Sequence, residues 1–295
     1  MSHTPVMLNE TIDGLAIKPG GRYVDGTFGR GGHSREIVKR GGMVLGIDRD
    51  DEAVKAAREL KVVKGRHGDL KRIVAECGWS DVDGILLDLG VSSPQLDDAD
   101  RGFSFLREGP LDMRMDRSDG MSASELVNGE SAERLTCIFR ELGEEPQARR
   151  IAVKIVEARA ERPFRTTVEL ANFVERLVGR RGARHPATRV FQALRMEVND
   201  EVGELKRALE GGLEILASGG RFAVITFESL TDRVVKTFFS EHVGKMESLQ
   251  QGGERWQGKA PRARAITRRA ITAASEEIRA NPRSRSAKLR IIEKE

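Results

Sequence analysis

Three aspartates stand where apolar runs of the chain stop. Asp25 closes Arg22–Asp25, Asp48 closes Met43–Asp48, and Asp88 falls at the end of the run Asp83–Leu89. In an open α/β sheet, ligands sit at the carboxyl ends of the strands, and a carboxylate there can accept hydrogen bonds from both hydroxyls of a ribose. The first acid leads straight into Gly26-Thr27-Phe28-Gly29-Arg30-Gly31-Gly32-His33, a loop with four glycines. A helical pattern, Ser34–Arg40, follows it. Strand, glycine loop and helix in that order open a nucleotide-type cofactor site. Any one of these acids alone could simply cap the next helix. Three of them beside a glycine loop form a constellation.

The loop discriminates between cofactors. A dinucleotide fingerprint needs G-x-G-x-x-G; here Gly29 and Gly31 are followed by Ser34, so the third glycine is missing. That glycine lets helix and strand pack closely under a pyrophosphate. The alternative pattern, D-x-G-x-G-x-G, lies under S-adenosylmethionine in doubly wound methyltransferases. Asp25, Gly29 and Gly31 fit it, with Thr27 in place of the first glycine. In that reading Asp25 meets the cationic end of the methionine portion, Asp48 takes the ribose, and Asp88 lines the same edge.

The elements that must position these residues alternate through the first third. Strand signals at Arg22–Asp25, Met43–Asp48, Val62–Lys64 and Asp83–Leu89 alternate with helical patterns at Ser34–Arg40, Asp51–Leu60 and Leu70–Cys77. This predicts a doubly wound, Rossmann-like α/β sheet. Residues 90–119 form a long Gly-, Ser-, Pro- and Asp-rich loop, of a kind that is usually functional or disordered. Helical patterns alone follow, at Ala132–Leu142, Gln147–Ala160 and Val168–Val178. The alternation resumes with a helix Glu197–Leu216, a strand Arg221–Phe227, a helix Thr231–His242, and a final hairpin from Ala265–Ile271 and Lys288–Ile292. The expected organisation is a discontinuous methyltransferase domain, residues 1–115 and 200–295, with an all-helical domain, 116–199, inserted for RNA recognition.

Of 295 residues, 39% are hydrophobic and 33% charged, and no apolar run is long enough for a membrane span. Met1–Glu10 has no basic-then-apolar leader pattern. The two cysteines, Cys77 and Cys137, have no metal-ligand or disulfide-framework spacing. A soluble protein of the reducing cytoplasm, with no metal, is the expectation. The net charge is only +4, yet Arg255–Arg290 alone holds eleven Lys/Arg against two acids. A second cluster contains Arg180, Arg181 and Arg184. Dense arginine beside a cofactor domain points to nucleic acid.

Several long segments carry a resemblance. Leu89-Gly90-Val91-Ser92-Ser93-Pro94-Gln95-Leu96-Asp97 is continued by Arg101-Gly102-Phe103-Ser104-Phe105 and Gly109-Pro110-Leu111-Asp112-Met113-Arg114-Met115-Asp116. His3–Leu8, Asp25–His33, His185–Arg189 with Gln192–Arg195, and Asn281–Ser286 add to these. Together they resemble the RsmH (MraW) family of bacterial small-subunit rRNA methyltransferases over nearly the whole chain. The resemblance implies methyl transfer from S-adenosylmethionine to the exocyclic N(4) amine of a cytidine in the decoding centre of 16S rRNA, near the P site. It implies that Gly31, Gly32 and His33 line the methionine side of the cofactor. Asp48 would hold the ribose, and Asp88 and Gln95 would make further cofactor contacts. His67 occupies the position where the family has an aromatic residue over the adenine.

An exocyclic amine is conjugated with its ring, so a site must hold its hydrogens and aim the nitrogen rather than form a covalent intermediate. Ser92-Ser93-Pro94-Gln95 is a loose analogue of the D/N/S-P-P-aromatic motif of amine methyltransferases, which makes Ser92 and Ser93 catalytic candidates. Phe103 or Phe105 could stack on a flipped base, or pack the loop. Asp112, Arg114 and Asp116 alternate, so in an extended segment they would share a face; Asp112 is a further candidate, with a loop clamp as the alternative. No cysteine lies near Asp88, which excludes a thiolate attack on a pyrimidine ring carbon. A nicotinamide-dependent oxidoreductase and a non-catalytic RNA-binding assembly factor are the competing functions. The oligomeric state is open, a homodimer included.

Overall fold

The computed structural model describes residues 5–180, 182, 185–248, 254–257 and 261–295. The chain divides into two compact units, Met1–Gly90 with Val202–Glu295, and Val91–Glu201.

The first unit is built on β1 (Arg22–Asp25), β2 (Met43–Asp48), β3 (Lys61–Lys64), β4 (Val82–Asp88), β5 (Leu216–Thr226) and four later strands. Of these, β6 (Lys245–Ser248) and β7 (Glu254–Gln257) form a separate antiparallel pair. β8 (Ala263–Ala265), β9 (Ile271–Thr272) and β10 (Lys288–Lys294) join the main sheet, whose order is β3-β2-β1-β4-β5-β10-β8, with β9 also on β10. β1 to β5 run parallel, and β10 enters antiparallel against β5. The order reverses between β1 and β4, which puts the ligand crevice over the ends of those two strands.

Helices cover both faces: α1 (Leu8–Leu15) and α2 (Gly32–Lys39), then α3 (Asp51–Lys55) and α4 (Leu70–Glu76). The pleat then sorts the apolar residues with a period of two. Ile85, Leu87, Phe222 and Val224 join one core with Leu70, Ile73 and Leu209, while Leu86, Ala223 and Ile225 join the other with Ile12, Leu15 and Ile37. Burial on both faces is why the fourth strand reads as an unbroken apolar run.

The second unit holds α5 (Ser93–Asp97), α6 (Ala123–Gly129), α7 (Ala132–Glu141), α8 (Ala148–Glu161), α9 (Thr167–Val178) and α10 (Thr188–Val198). Capping boxes start α6 through Ser122 and Glu125, and α9 through Thr166 and Glu169. Its core gathers Leu126, Ile138, Ile151, Leu170, Val190 and Leu194. The expected boundary at 115/116 moves to Gly90/Val91, because Phe103, Leu111 and Met113 pack into this helical core. The long loop is ordered. Leu111 N–H donates to Arg165 O at 3.0 Å, and Asn199 holds Met113 O and Met115 N at 2.8 and 3.0 Å.

Two further expectations are corrected, while the helix expected over Thr231–His242 is present and slightly longer at both ends. The single helix expected over Glu197–Leu216 breaks at Asn199–Asp200, where Asp200 takes φ 48°, and resumes as α11 (Glu201–Ile215). The helix after β5, α12, spans Ser229–Val243. The final hairpin is instead two short strands, β8 and β9, both laid on β10, with α13 (Ser275–Ala280) between β9 and β10.

Candidate active site

The parallel registers bring the three aspartates to one edge. Asp25 lies level with Gly46 and Leu86, Asp48 with Lys64, and Asp88 with Ile225. The glycine loop is strung between them. Gly29 N–H donates to Asp48 Oδ2 at 2.8 Å, and Thr27 N–H to Asp25 Oδ1 at 3.3 Å. Ser34 Oγ donates to Asp25 Oδ2 at 2.6 Å. Asp88 N–H donates to Thr27 Oγ1 at 2.6 Å, which ties the loop to β4. Thr27 and Ser34 were not singled out as site residues. The signal was present, since each replaces a glycine of one of the fingerprints and each brings a hydroxyl.

Two glycines are dictated by close approach. Gly31 caps α2 with φ 70°, and a Cβ there would lie 2.5 Å from the Phe28 ring. A Cβ on Gly32 would fall against Pro5. The helix therefore begins at Gly32, two residues before the expected Ser34, and His33 lies in its first turn. His33 Nε2 is 3.1 Å from Val6 O, a carbonyl that can only accept, so Nε2 carries the proton. His33 Nδ1 then faces Asp88 Oδ2 at 4.0 Å.

Burial dominates the electrostatics. Asp25 is 2% exposed. Burial pushes its carboxyl up to about 6, against the pull of Ser34 and Thr27 and with help from the charge of Asp48. Asp88 is pushed up to about 7 by burial and by the charge of Asp25. Burial also raises Asp48, although the N–H groups of Asp50 and Gly29 pull it back. His67 opens a 3-10 turn after β3. Burial holds its imidazole down to about 4, so the ring is neutral at pH 7, and its enclosed Nε2 has no hydrogen-bond partner among the described residues. Glu204 of α11, 3% exposed, braces that turn by accepting from Gly68 N–H at 2.9 Å and from Arg66 at 3.3 Å. Nothing local in the sequence marked Glu204, which comes from 136 positions away.

An edge lined by acids that burial resists ionising favours a ligand that brings positive charge. A pyrophosphate would be repelled there. Asp48 keeps lone pairs for two hydroxyls beyond the two N–H groups it already accepts. His67 supplies a neutral ring beside them. The donor and acceptor set fits S-adenosylmethionine, with its sulfonium, its ammonium and its ribose.

The remaining candidates belong to the second unit. Gln95 is buried, and its Oε1 accepts from Ser92 N–H at 2.9 Å, while Ser92 Oγ accepts from Gln95 N–H at 3.4 Å. Ser92, Ser93 and Gln95 thus form the start of α5, a capping box. Asp112 is held by Arg114 in a two-pronged pair, with Nε to Oδ1 and NH2 to Oδ2 both at 2.9 Å. Burial raises the Asp112 carboxyl, but the bonds from Arg114 outweigh it and leave it below its ordinary value. The segment is not extended, because Met113 takes φ 63°, so the alternating face does not form and Asp112 serves as the loop clamp. Phe103 is 8% exposed in the helical core, which removes it as a platform for a base. Phe105 is half-buried, with its ring 4.7 Å from His185 and 4.8 Å from Phe191. Arg180 is exposed, 3.9 Å from Glu175. Arg181 and Arg184 lie outside the described residues.

Among the described residues, no three His, Cys, Asp or Glu side chains are placed to hold a metal ion, and no helix is long and apolar enough to cross a membrane. Five parallel strands with an antiparallel β10, and an acid-edged glycine loop at the switch point, define an S-adenosylmethionine-dependent methyltransferase of the doubly wound class. More narrowly, the chain belongs to the MraW methylase family, whose model matches residues 1–295. Among its relatives, the ribosomal RNA small subunit methyltransferase H of Shewanella oneidensis is 46% identical over 307 residues, covering 99% of this chain and 97% of its own. The protein of the same name from Shewanella violacea is 45% identical over 306 residues, with the same coverage. A solved rRNA methylase from Streptococcus thermophilus covers 99% of both chains at 11% identity, with a TM-score of 0.43.

Proposed function

We propose that the protein methylates the exocyclic N(4) amine of a cytidine near the P site of 16S rRNA in the small ribosomal subunit. The observation that carries this reading is the acid-edged cofactor cleft in a chain whose near full-length relatives are named small-subunit rRNA methyltransferases. When bound, S-adenosylmethionine supplies an electrophilic methyl group. Asp25 offsets its charge, Asp48 orients its ribose, and His67 packs its adenine. The acids keep the positive ligand in a cleft where water is scarce, and there electrostatic positioning is strongest.

The residue types support an amine acceptor. Cys77 caps the end of α4 and Cys137 lies on α7, so neither belongs to the acid edge where a thiolate nucleophile would be needed. A nitrogen acceptor needs only orientation, and it sheds one proton as the new C–N bond forms. Asp88, pushed up to about 7, is well matched to take that proton. Gln95 and the serines Ser92 and Ser93 are assigned to shaping the loop after β4.

Labelled S-adenosylmethionine should transfer its methyl to small subunits that lack the modification, and digestion should yield N(4)-methylcytidine by mass and retention. Label on a ring carbon or on a ribose oxygen would overturn the amine assignment. Cofactor binding with no label on any subunit would favour the non-catalytic assembly factor.

A further inference from the structure

The segment Asn281–Ser286 belongs to neither the acid edge nor the helical unit, yet it is a turn tied by several internal hydrogen bonds. Pro282–Ser286 is a 3-10 turn. Asn281 Oδ1 accepts from Arg283 N–H at 3.3 Å, and Asn281 O accepts from both Ser284 N–H at 3.0 Å and Ser284 Oγ at 2.8 Å. Ser284 is 0% exposed, and Ala287, whose N–H bonds Ser284 O at 3.0 Å, is 1% exposed. The small residues are the anchors, and the arginines between them, Arg283 and Arg285, are both exposed.

The sheet register locates this turn. It runs directly into Lys288, which pairs with Thr226, the last residue of β5. Ile225, one residue earlier, pairs with Asp88. The turn therefore rises from the same carboxyl edge as the three acids. Two strand spacings separate it from the strand of Asp88, or about 10 Å.

Its charge is also unlike its surroundings. Arg290 and Lys288 are matched by Asp232, Arg264 by Glu293 and Arg279 by Glu276. Arg285 has no acidic partner among the described residues. Nor have Arg268 and Arg269, which are exposed on the outer edge between Thr267, bonded to Ile291 O, and β9. We propose that the Pro282–Ser286 turn is a preformed phosphate grip that holds the sugar–phosphate backbone of the RNA strand flanking the target nucleotide, with Arg268 and Arg269 extending the track.

The inference rests on the proposed RNA substrate and names where its backbone lies. Arginine presents a planar fork that matches a phosphate. A turn already fixed by Asn281 and Ser284 loses little further freedom on binding. Each arginine that releases a counterion from RNA adds to the salt dependence of association.

The test uses the full chain with Arg285→Ala, Arg283→Ala/Arg285→Ala and Arg285→Lys, against unmodified small subunits. Cofactor affinity by calorimetry should match the parent, which also shows that each variant is folded. KM for subunits should rise roughly tenfold in the double variant, with kcat within about twofold, and the slope of log affinity against log salt should fall by about one per arginine. Arg285→Lys should recover part of KM. An unchanged KM and salt slope in the double variant would overturn the proposal. A fall in kcat alone, without a change in slope, would also overturn it, by making the turn structural. If the parent itself labels no subunit, the RNA substrate falls and this assignment falls with it. That result is told apart from the others because it needs no variant.

Discussion

Replacing Asp88 by asparagine should make the ligand-free protein more stable and the ligand-bound protein worse. The carboxyl is pushed from 3.8 to about 7 by burial and by the charge of Asp25. Below pH 3.8 both folded and unfolded chains carry the proton, and the group contributes nothing. As the pH rises from there, the unfolded chain ionises while the folded one keeps its proton. Stability is therefore lost progressively until the folded value near 7 is passed, and the loss is constant above it. At about 1.4 kcal/mol for each pH unit of that window, the ceiling is about 4 kcal/mol. The side chain is 25% exposed, and solvent screening trims the figure to roughly 1–3 kcal/mol. Asp88→Asn removes the titration and keeps the shape. Urea unfolding of the ligand-free proteins should show the variant equal to the parent near pH 4 and about 1–3 kcal/mol more stable at pH 8. The same variant should lose most of the thermal stabilisation that S-adenosylmethionine gives the parent. If Asp88→Asn is less stable than the parent at pH 8, the carboxylate is already compensated within the fold. This edge would then not be one that awaits a cation.

Asp48→Ala should weaken cofactor binding roughly 100-fold, because the ribose hydroxyls and Gly29 N–H lose a shared charged acceptor; an unchanged calorimetric Kd would contradict the assignment. Cofactor affinity should fall as the pH drops through about 7 and then about 6, where Asp88 and Asp25 take up protons. Binding near pH 6.5 should accordingly release protons, seen as a buffer-dependent heat, and a heat independent of buffer would refute it. His67→Phe should hold the cofactor within about threefold, since stacking needs only a π face, and a loss beyond tenfold would show that Nε2 itself holds the ligand. Neutralising Arg180, Arg181 and Arg184 together should lower the salt slope of RNA association by roughly two to three, and slopes equal to the parent's would take that loop off the RNA surface.

The centre of the sheet was readable because β1, β2 and β4 are largely buried on both faces and each of the three stops at an aspartate. Once Asp25, Asp48 and Asp88 are placed on parallel neighbours, their convergence follows from topology alone. What was hidden depends on distant partners. Phe103, Leu111 and Met113 are sparse apolar residues in a polar loop, and only the helices they meet, with Asn199 clasping the backbone, make that loop part of the second unit. Two positive-φ residues, Met113 and Asp200, defeated readings that assumed a regular period. β8 and β9 have three and two residues, too few to show alternation, and exist because β10 offers them an open edge. The brace on His67 comes from Glu204, which carries no local signal at all.

The wall of the cofactor cleft has a consequence for how the chain is made. Pro5 covers Gly32, and Val6 O fixes the His33 ring. The next residue, Met7, takes φ 51°, and its N–H is bonded at 2.8 Å by Glu277 Oε1. A ribosome delivers Met7 first and Glu277 270 residues later. Through most of its own synthesis the nascent chain therefore carries its glycine loop without the clasp that seats the wall. The bond that seats Met7 forms only in the last stretch of translation, at about the stage when β10 joins the sheet. A translation stall before residue 277 should leave a chain with most of its strands and no competence to bind S-adenosylmethionine.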